Sequence, residues 1–233
     1  MKTGKYTVIA GIASALLVLS LLVGCVNIFA FNNDFYKDEY AKLGAAEYVG
    51  VSEENLNEAT DVLLDYLKDE RKDIELQSDQ GDSFYSEREK LHMVDVKALY
   101  QNCCMLAWCF LIVGGGMVAF IIISRKKDSL VHLVKGFTRA SIFIIAFFAF
   151  IGIAAAIDFN TFWVNFHRLF FTNDLWMLDP ASSRMIRMYQ ESFFFDMVTG
   201  ILLLFLSIFI GLLVASVIIL YIKRRKEERD EGR

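Results

Sequence analysis

Four apolar runs, at about residues 7–31, 103–124, 141–159 and 197–222, constrain this chain more than any other feature. Each is close to the ~20 residues that a helix needs to cross a hydrocarbon core. None carries a charge in its interior. A single central Lys, Arg or Asp costs ~2.5–3.5 kcal/mol on insertion, so their shared absence points to the bilayer. The 233-residue sequence is 55% hydrophobic, above the ~45–50% of soluble domains, and the excess is collected into these runs. One proline in the whole chain disfavours turn-rich β structure. The expected fold is all-α: four transmembrane helices, a helical extracytoplasmic segment and a second outer loop between spans 3 and 4.

Four crossings return both termini to one side. That side holds Lys2 and Lys5, the cations of 125–140 and those of 223–233, for a net charge of +8, while the other side carries −12. Basic residues stay in the cytoplasm, so both termini are expected there and the acidic segments outside. The expected organisation is transmembrane helix 1 over 7–31 and an extracytoplasmic helical segment over 32–102. Transmembrane helix 2 over 103–124, a cytoplasmic loop over 125–140 and transmembrane helix 3 over 141–159 follow. An extracytoplasmic catalytic loop over 160–196, transmembrane helix 4 over 197–222 and a cytoplasmic tail over 223–233 complete it.

The first run ends in Leu22-Val23-Gly24-Cys25, which matches the box before the lipidated cysteine of bacterial lipoproteins. Apolar character continues through Phe31, and that favours a plain anchor helix over acylation of Cys25. Ser52 followed by Glu53 and Glu54 marks a helix start. Leu56, Ala59, Val62, Leu63, Tyr66 and Leu67 then recur at helical spacing, predicting an amphipathic helix of about four turns. Lys68 to Asp82 is a charged connection, and its acids read as a solvated face. Ser86 to Tyr100 predicts a helix that runs into the second span. On it His92 and Asp95 share a face.

Cys103, Cys104 and Cys109 lack metal-ligand spacing and partner histidines, so they read as small apolar packing. Gly114-Gly115-Gly116 is expected to admit a neighbouring helix. His132 lies among Leu130, Leu133, Val134 and Phe137 on the cytoplasmic side and reads as structural. Phe159, Phe162, Trp163, Phe166, Phe170, Phe171 and Trp176 suit an aromatic belt at headgroup depth. A belt does not account for His167-Arg168 in its midst. Arg168 suits a phosphate or ester oxygen, or a snorkelling anchor.

Several chemistries find no support. There is no His-Glu-x-x-His motif, no Gly-x-Ser-x-Gly elbow and no phosphate-cradling glycine loop before a helix. These absences weigh against a metalloprotease, a serine hydrolase and a nucleotide-driven pump. Proton transfer by His92 and His167, on a lipid-borne substrate, is what the remaining residues support.

Phe166-His167-Arg168-Leu169-Phe170-Phe171, then Trp176, Pro180 and Phe193-Phe194, resembles the outer-loop signature of the lipoprotein intramolecular transacylase family. Leu91-His92-Met93-Val94-Asp95-Val96-Lys97-Ala98-Leu99-Tyr100 is similar to its other recurring block. The order of spans and loops is similar too. One departure is the lack of a proline in Met188-Tyr189-Gln190-Glu191-Ser192. The resemblance implies a membrane enzyme of Gram-positive bacteria acting on diacylglyceryl-cysteine lipoproteins, within membrane lipid. It would move the sn-2 acyl chain to the α-amino group of the same cysteine, giving a lyso-form lipoprotein. No cofactor, no metal and no nucleic acid is implied, and the oligomeric state stays open.

On this reading His92 and His167 are catalytic, one as base on the amine and the other as acid or oxyanion donor, in either order. A transiently acylated histidine is a further route. Asp95 would orient an imidazole, Arg168 hold an ester oxygen and Trp176 wall the acyl chain. Two other classes remain at this stage: a non-catalytic envelope sensor or assembly protein, and a lipid-ester hydrolase.

Overall fold

The structure, a computed structural model, describes residues 2–231, with side chains from Gly4 to Asp230. The side chain of Lys2 and all of Arg233, both counted among the cytoplasmic cations, lie outside the described residues. Nine α-helices are seen there: α1 Lys2–Ala30, α2 Asn33–Leu43, α3 Ala45–Val49, α4 Glu53–Leu67, α5 Glu87–Arg125, α6 Ser129–Ile157, α7 Phe159–Phe170, α8 Arg184–Met188 and α9 Glu191–Glu231. One isolated antiparallel bridge, Gln77 to Ser83, is the only strand-like pairing among the described residues. The all-α membrane fold expected from the sequence is the fold observed.

By length and composition, three helical stretches suit a membrane: Gly4–Ala30, Glu87–Ile157 and Glu191–Asp230. The middle one counts 71 residues. As one straight rod it would exceed ~100 Å, far more than a ~30 Å hydrocarbon core. It is broken at a 3-10 turn, Lys126–Asp128, where Lys126 takes φ 36°. α1, α5, α6 and α9 are therefore the four long apolar helices.

The chain divides into two compact units. The first comprises α1 up to Cys25, Met105–Ile153, and Leu202 to the end of α9. Small residues set its helix contacts, as in membrane bundles where apolar burial alone gives little driving force. A Cβ built on Gly136 of α6 would fall 2.4 Å from the Ala10 Cβ of α1, so only glycine permits this approach. Of the glycine triplet, Gly114 meets a neighbour, with its Cβ direction 3.0 Å from Leu17, whereas Gly115 and Gly116 face open space. Phe137 and Phe209, and Phe148 and Phe205, join α6 to α9. Outward side chains are large and apolar: Phe143 is 78% exposed and Ile123 73%. Such a surface suits lipid rather than water.

The second unit comprises Val26–Cys104 and Ala154–Ile201. Asn32 caps α2 by accepting from the Asp34 amide at 3.1 Å, and Ser52 caps α4 by accepting from the Asn55 amide at 3.1 Å. α4 buries Leu56, Ala59, Val62, Leu63 and Tyr66, the stripe that the helical spacing marks. It packs on an aromatic cluster of buried Tyr36, Tyr40, Tyr85 and Phe193 with half-buried Tyr189. The Tyr40 hydroxyl bonds Thr60 at 2.7 Å and the Tyr85 hydroxyl donates to the Ala59 carbonyl at 2.8 Å, so these buried polar tips are satisfied. The charged connection after α4 is tied to α5 by Lys90–Glu75 at 2.7 Å and Lys97–Asp69 at 2.6 Å.

Candidate active site

His92 and His167 belong to the second unit and reach one place from different helices. His92 sits in the second turn of α5. Ser86 and Glu89 start that helix as a reciprocal cap. The Ser86 amide donates to Glu89 Oε2 at 2.6 Å, and the Glu89 amide donates to Ser86 Oγ at 3.4 Å. His167 sits in the last turn of α7. The sequence pattern marked no helix there, because the aromatic residues read as a belt. Asp158 starts it by accepting from the Thr161 amide at 2.9 Å and the Thr161 hydroxyl at 2.7 Å.

The two imidazole centroids are 6.1 Å apart with the rings inclined by 35°. Phe171, just past the end of α7, is buried against both rings, 5.3 Å from His92 and 5.6 Å from His167. Trp176 stacks on His167 at 5.0 Å and 30°. Trp163, one turn before His167, meets the same ring edge-on at 5.0 Å. His167 is thus held on two sides by indoles and on a third by the second histidine's neighbour, Phe171.

The polar contacts specify how the rings are presented. His167 Nδ1 lies 2.8 Å from the Trp163 carbonyl oxygen, which can only accept. Nδ1 therefore carries the proton and Nε2 carries the lone pair. Burial pushes the His167 imidazole below its ordinary pKa, partly offset by this bond. His92 is 7% exposed, and its Nδ1 is buried with no hydrogen-bond partner among the described residues. Burial, then the neighbouring His167, lowers its pKa to about 4, against a smaller opposing effect of the Asp95 charge. Burial thus favours the neutral form of both rings.

A loop from Phe171 to Ser183 is strapped along the start of α5. Asn173 donates to Asp95 at 2.8 Å and Asp174 pairs with Arg88 at 3.3 Å. The far end is anchored on Glu89, which is 1% exposed. Glu89 Oε1 accepts from the Ser183 hydroxyl at 2.6 Å and from the Met185 amide at 2.8 Å. The Asp95 carboxylate thus grips the loop and acts on His92 through its charge. The Trp176 indole donates to the Asn173 carbonyl at 3.0 Å, which fixes the stack on His167. Arg168 is exposed and pairs with no carboxylate among the described residues. Glu89, Asn173, Phe171 and Trp163 belong to the site, although the residue pattern assigned none of them an individual role there: Phe171 stood in the outer-loop signature, and it and Trp163 in the aromatic belt. Only Glu89 had a local signal, the Ser86-x-x-Glu89 spacing.

Exposed apolar side chains flank the pair in sequence: Leu91 and Val94 on α5, Leu169 and Phe170 on α7, and Met177 after the tryptophan. Among the described residues no three His, Cys, Asp or Glu side chains cluster as a metal site would need.

An all-α, multi-pass membrane protein with two neutral histidines under an aromatic wall is the class that these features define. A family model described as lipoprotein intramolecular transacylase Lit matches residues 11–194. The chain belongs to the lipoprotein intramolecular transacylase family. Its fold is that of the membrane-integral lipoprotein intramolecular transacylase Lit from Bacillus cereus. The two are 22% identical, with 100% of this chain and 99% of that chain covered and a TM-score of 0.67. Structures of the same Bacillus cereus protein with one histidine changed to arginine or to alanine match at TM-score 0.69 and 22% identity. They cover 97% and 96% of this chain, and 95% and 96% of those chains. No curated protein sequence matches.

Proposed function

We propose that this protein transfers the sn-2 acyl chain of a diacylglyceryl-cysteine lipoprotein to the α-amino group of the same cysteine. His167 is the general base and His92 the donor to the oxyanion. The observation that carries the proposal is the 6.1 Å approach of two imidazoles that stand 75 positions apart in a chain of this family.

The chemistry follows from the protonation states. The α-amine has a pKa of ~7.7–8.0, so most of it is protonated at neutral pH and cannot attack. His167 presents Nε2 as an acceptor. The ammonium first gives one proton to water; the free amine then attacks, His167 takes one of its remaining protons as the N–C bond to the ester carbonyl forms, and the carbonyl electrons move to oxygen. Collapse breaks the C–O bond to the glyceryl oxygen, and the imidazolium returns the proton to that alkoxide. His92, with its pKa lowered to about 4 by burial and the neighbouring imidazole, is held in its neutral form at pH 7. It serves better as a neutral N–H donor to the tetrahedral oxyanion than as a cationic acid. Positioned proton transfer contributes ~10²–10⁴-fold. Amine and ester held in one molecule and one site add the larger advantage of proximity. Trp176 and the exposed apolar residues wall the acyl chain, and Arg168 holds an ester oxygen.

The reading places the site at the outer face of the cell membrane and both termini in the cytoplasm, in keeping with the charges of +8 and −12 on the two sides. Reactant and product are isomers, so intact mass does not report the transfer. The test is fragmentation of the N-terminal peptide after purified protein in liposomes meets a synthetic diacylglyceryl-cysteine peptide. An N-acyl-cysteine fragment beside a monoacylglyceryl group is expected. Free fatty acid without N-acylation would instead assign a hydrolase, and unchanged substrate a non-catalytic protein.

A further inference from the structure

The start of α5 lines a cavity of about 380 Å³, within the size range of small-ligand sites. Its walls include Asp82, Ser83 and Glu87 from one side, and Ser182, Arg184 and Arg187 from α8 and the residues before it. Arg184 is committed: its Nη2 lies 3.0 Å from both oxygens of Asp82. Arg187 is not. Its Nε donates to the Ser183 carbonyl at 3.2 Å and its Nη1 to the Tyr48 carbonyl at 3.4 Å. It pairs with no carboxylate among the described residues, so it keeps its full charge and spare N–H donors.

We propose that this cavity is the subsite for the polypeptide that follows the lipid-bearing cysteine, with Arg187 donating to its carbonyl groups. The inference rests on the acyl-transfer reading. Position along α5 supports it. Glu87 and Glu89 line the cavity, and His92 follows Glu89 by three residues, a rise of ~4.5 Å. The apolar run begins at Cys103, ~16 Å further on. The substrate has the same order, with polypeptide at one end, the reacting cysteine in the middle and acyl chains at the other. A cysteine at the imidazoles with its chains toward the apolar run sends its carboxyl side toward residues 82–89. Arginine suits that end, since its planar fork bonds oxygen acceptors at several angles.

Two probes test this with the full-length protein in liposomes: S-diacylglyceryl-cysteine amide, and the same group followed by four Ser, Gly and Ala residues. The peptide-bearing probe is expected to show a KM lower by about tenfold, the size of one charge-assisted hydrogen bond. Arg187→Met and Ser182→Trp, the second plugging the cavity from an exposed position, are expected to erase that difference. Loss in either variant, with normal elution on size exclusion, supports the subsite. Equal KM for both probes in the wild type, or a difference kept by both variants, overturns it. No N-acyl product from either probe removes the transfer reading itself, and the subsite with it.

Discussion

His132 and His92 are both buried, at 6% and 7% exposure, and burial pushes both imidazoles below their ordinary pKa. They differ in what their ring nitrogens meet. His132, in the first unit, lies 3.2 Å through Nδ1 from the Thr7 hydroxyl and packs on Tyr6 at 5.8 Å. The charges of Arg125, Lys135 and Lys223 further oppose its protonation, with Asp128 opposing them. His92, in the second unit, leaves Nδ1 without a partner among the described residues and faces a second imidazole. A buried polar atom left unpaired costs ~1–3 kcal/mol. A depressed pKa is therefore common to a histidine that packs and to one that is placed to react. Between His132 and His92 the contact at Nδ1 makes the difference.

The largest expected effect is on turnover. His92→Ala is expected to lower the rate of N-acyl product formation by ~10²-fold or more, as for the loss of an oxyanion donor. His132→Ala is expected to stay within a few-fold of wild type. Similar losses at both positions, measured on folded protein, would break the comparison.

Next in size is an effect on stability. Glu89→Ala strands the Ser86 amide, the Ser183 hydroxyl and the Met185 amide, at ~1–3 kcal/mol for each that water does not reach. The thermal midpoint in detergent is expected to fall by several degrees, at ~2–4 °C per kcal/mol for a chain of this size. An unchanged midpoint would mean that the loop is held elsewhere. Trp176→Ala removes the stack on His167. An aromatic pair of this kind contributes ~0.5–1.5 kcal/mol, so a loss of ~2–10-fold in kcat with the protein still folded is expected.

The smallest signal is a titration. Ring NMR of labelled histidines is expected to show His92 titrating near pH 4 and His167 below 6.5. Each binds its proton more readily in the unfolded chain. Their contribution to stability is therefore complete above pH 6.5 and is lost as pH falls toward the folded values. Either ring titrating above 6.5 would contradict the burial that sets the comparison.

Much of this was legible in the residues, for identifiable reasons. Leu56, Ala59, Val62, Leu63 and Tyr66 repeat at the helical period, and Ser52 has a cap's side chain, so α4 could be placed from local pattern. Lipid-facing helices announce themselves by apolar length alone. His92 and His167 stood out because each is a titratable ring beside an apolar run. Their approach is a tertiary fact that no local spacing encodes. The Gly136–Ala10 contact was silent because a single glycine in a helix has many meanings. α7 was masked because its aromatic residues satisfy a belt and an amphipathic helix equally, although Asp158-x-x-Thr161 carried the cap. The strap from Asn173 to Asp95 joins residues 78 positions apart, and the one pairing the local spacing suggested for Asp95 was with His92, three residues before it.

The most direct test of the central claim is single turnover by purified His167→Ala in liposomes, read by fragmentation of the substrate's N-terminal peptide. With the base removed, N-acylation is expected to slow by ~10²–10⁴-fold while the protein elutes as the wild type does. Wild-type speed from that variant would show that the acyl chain moves without the paired imidazoles.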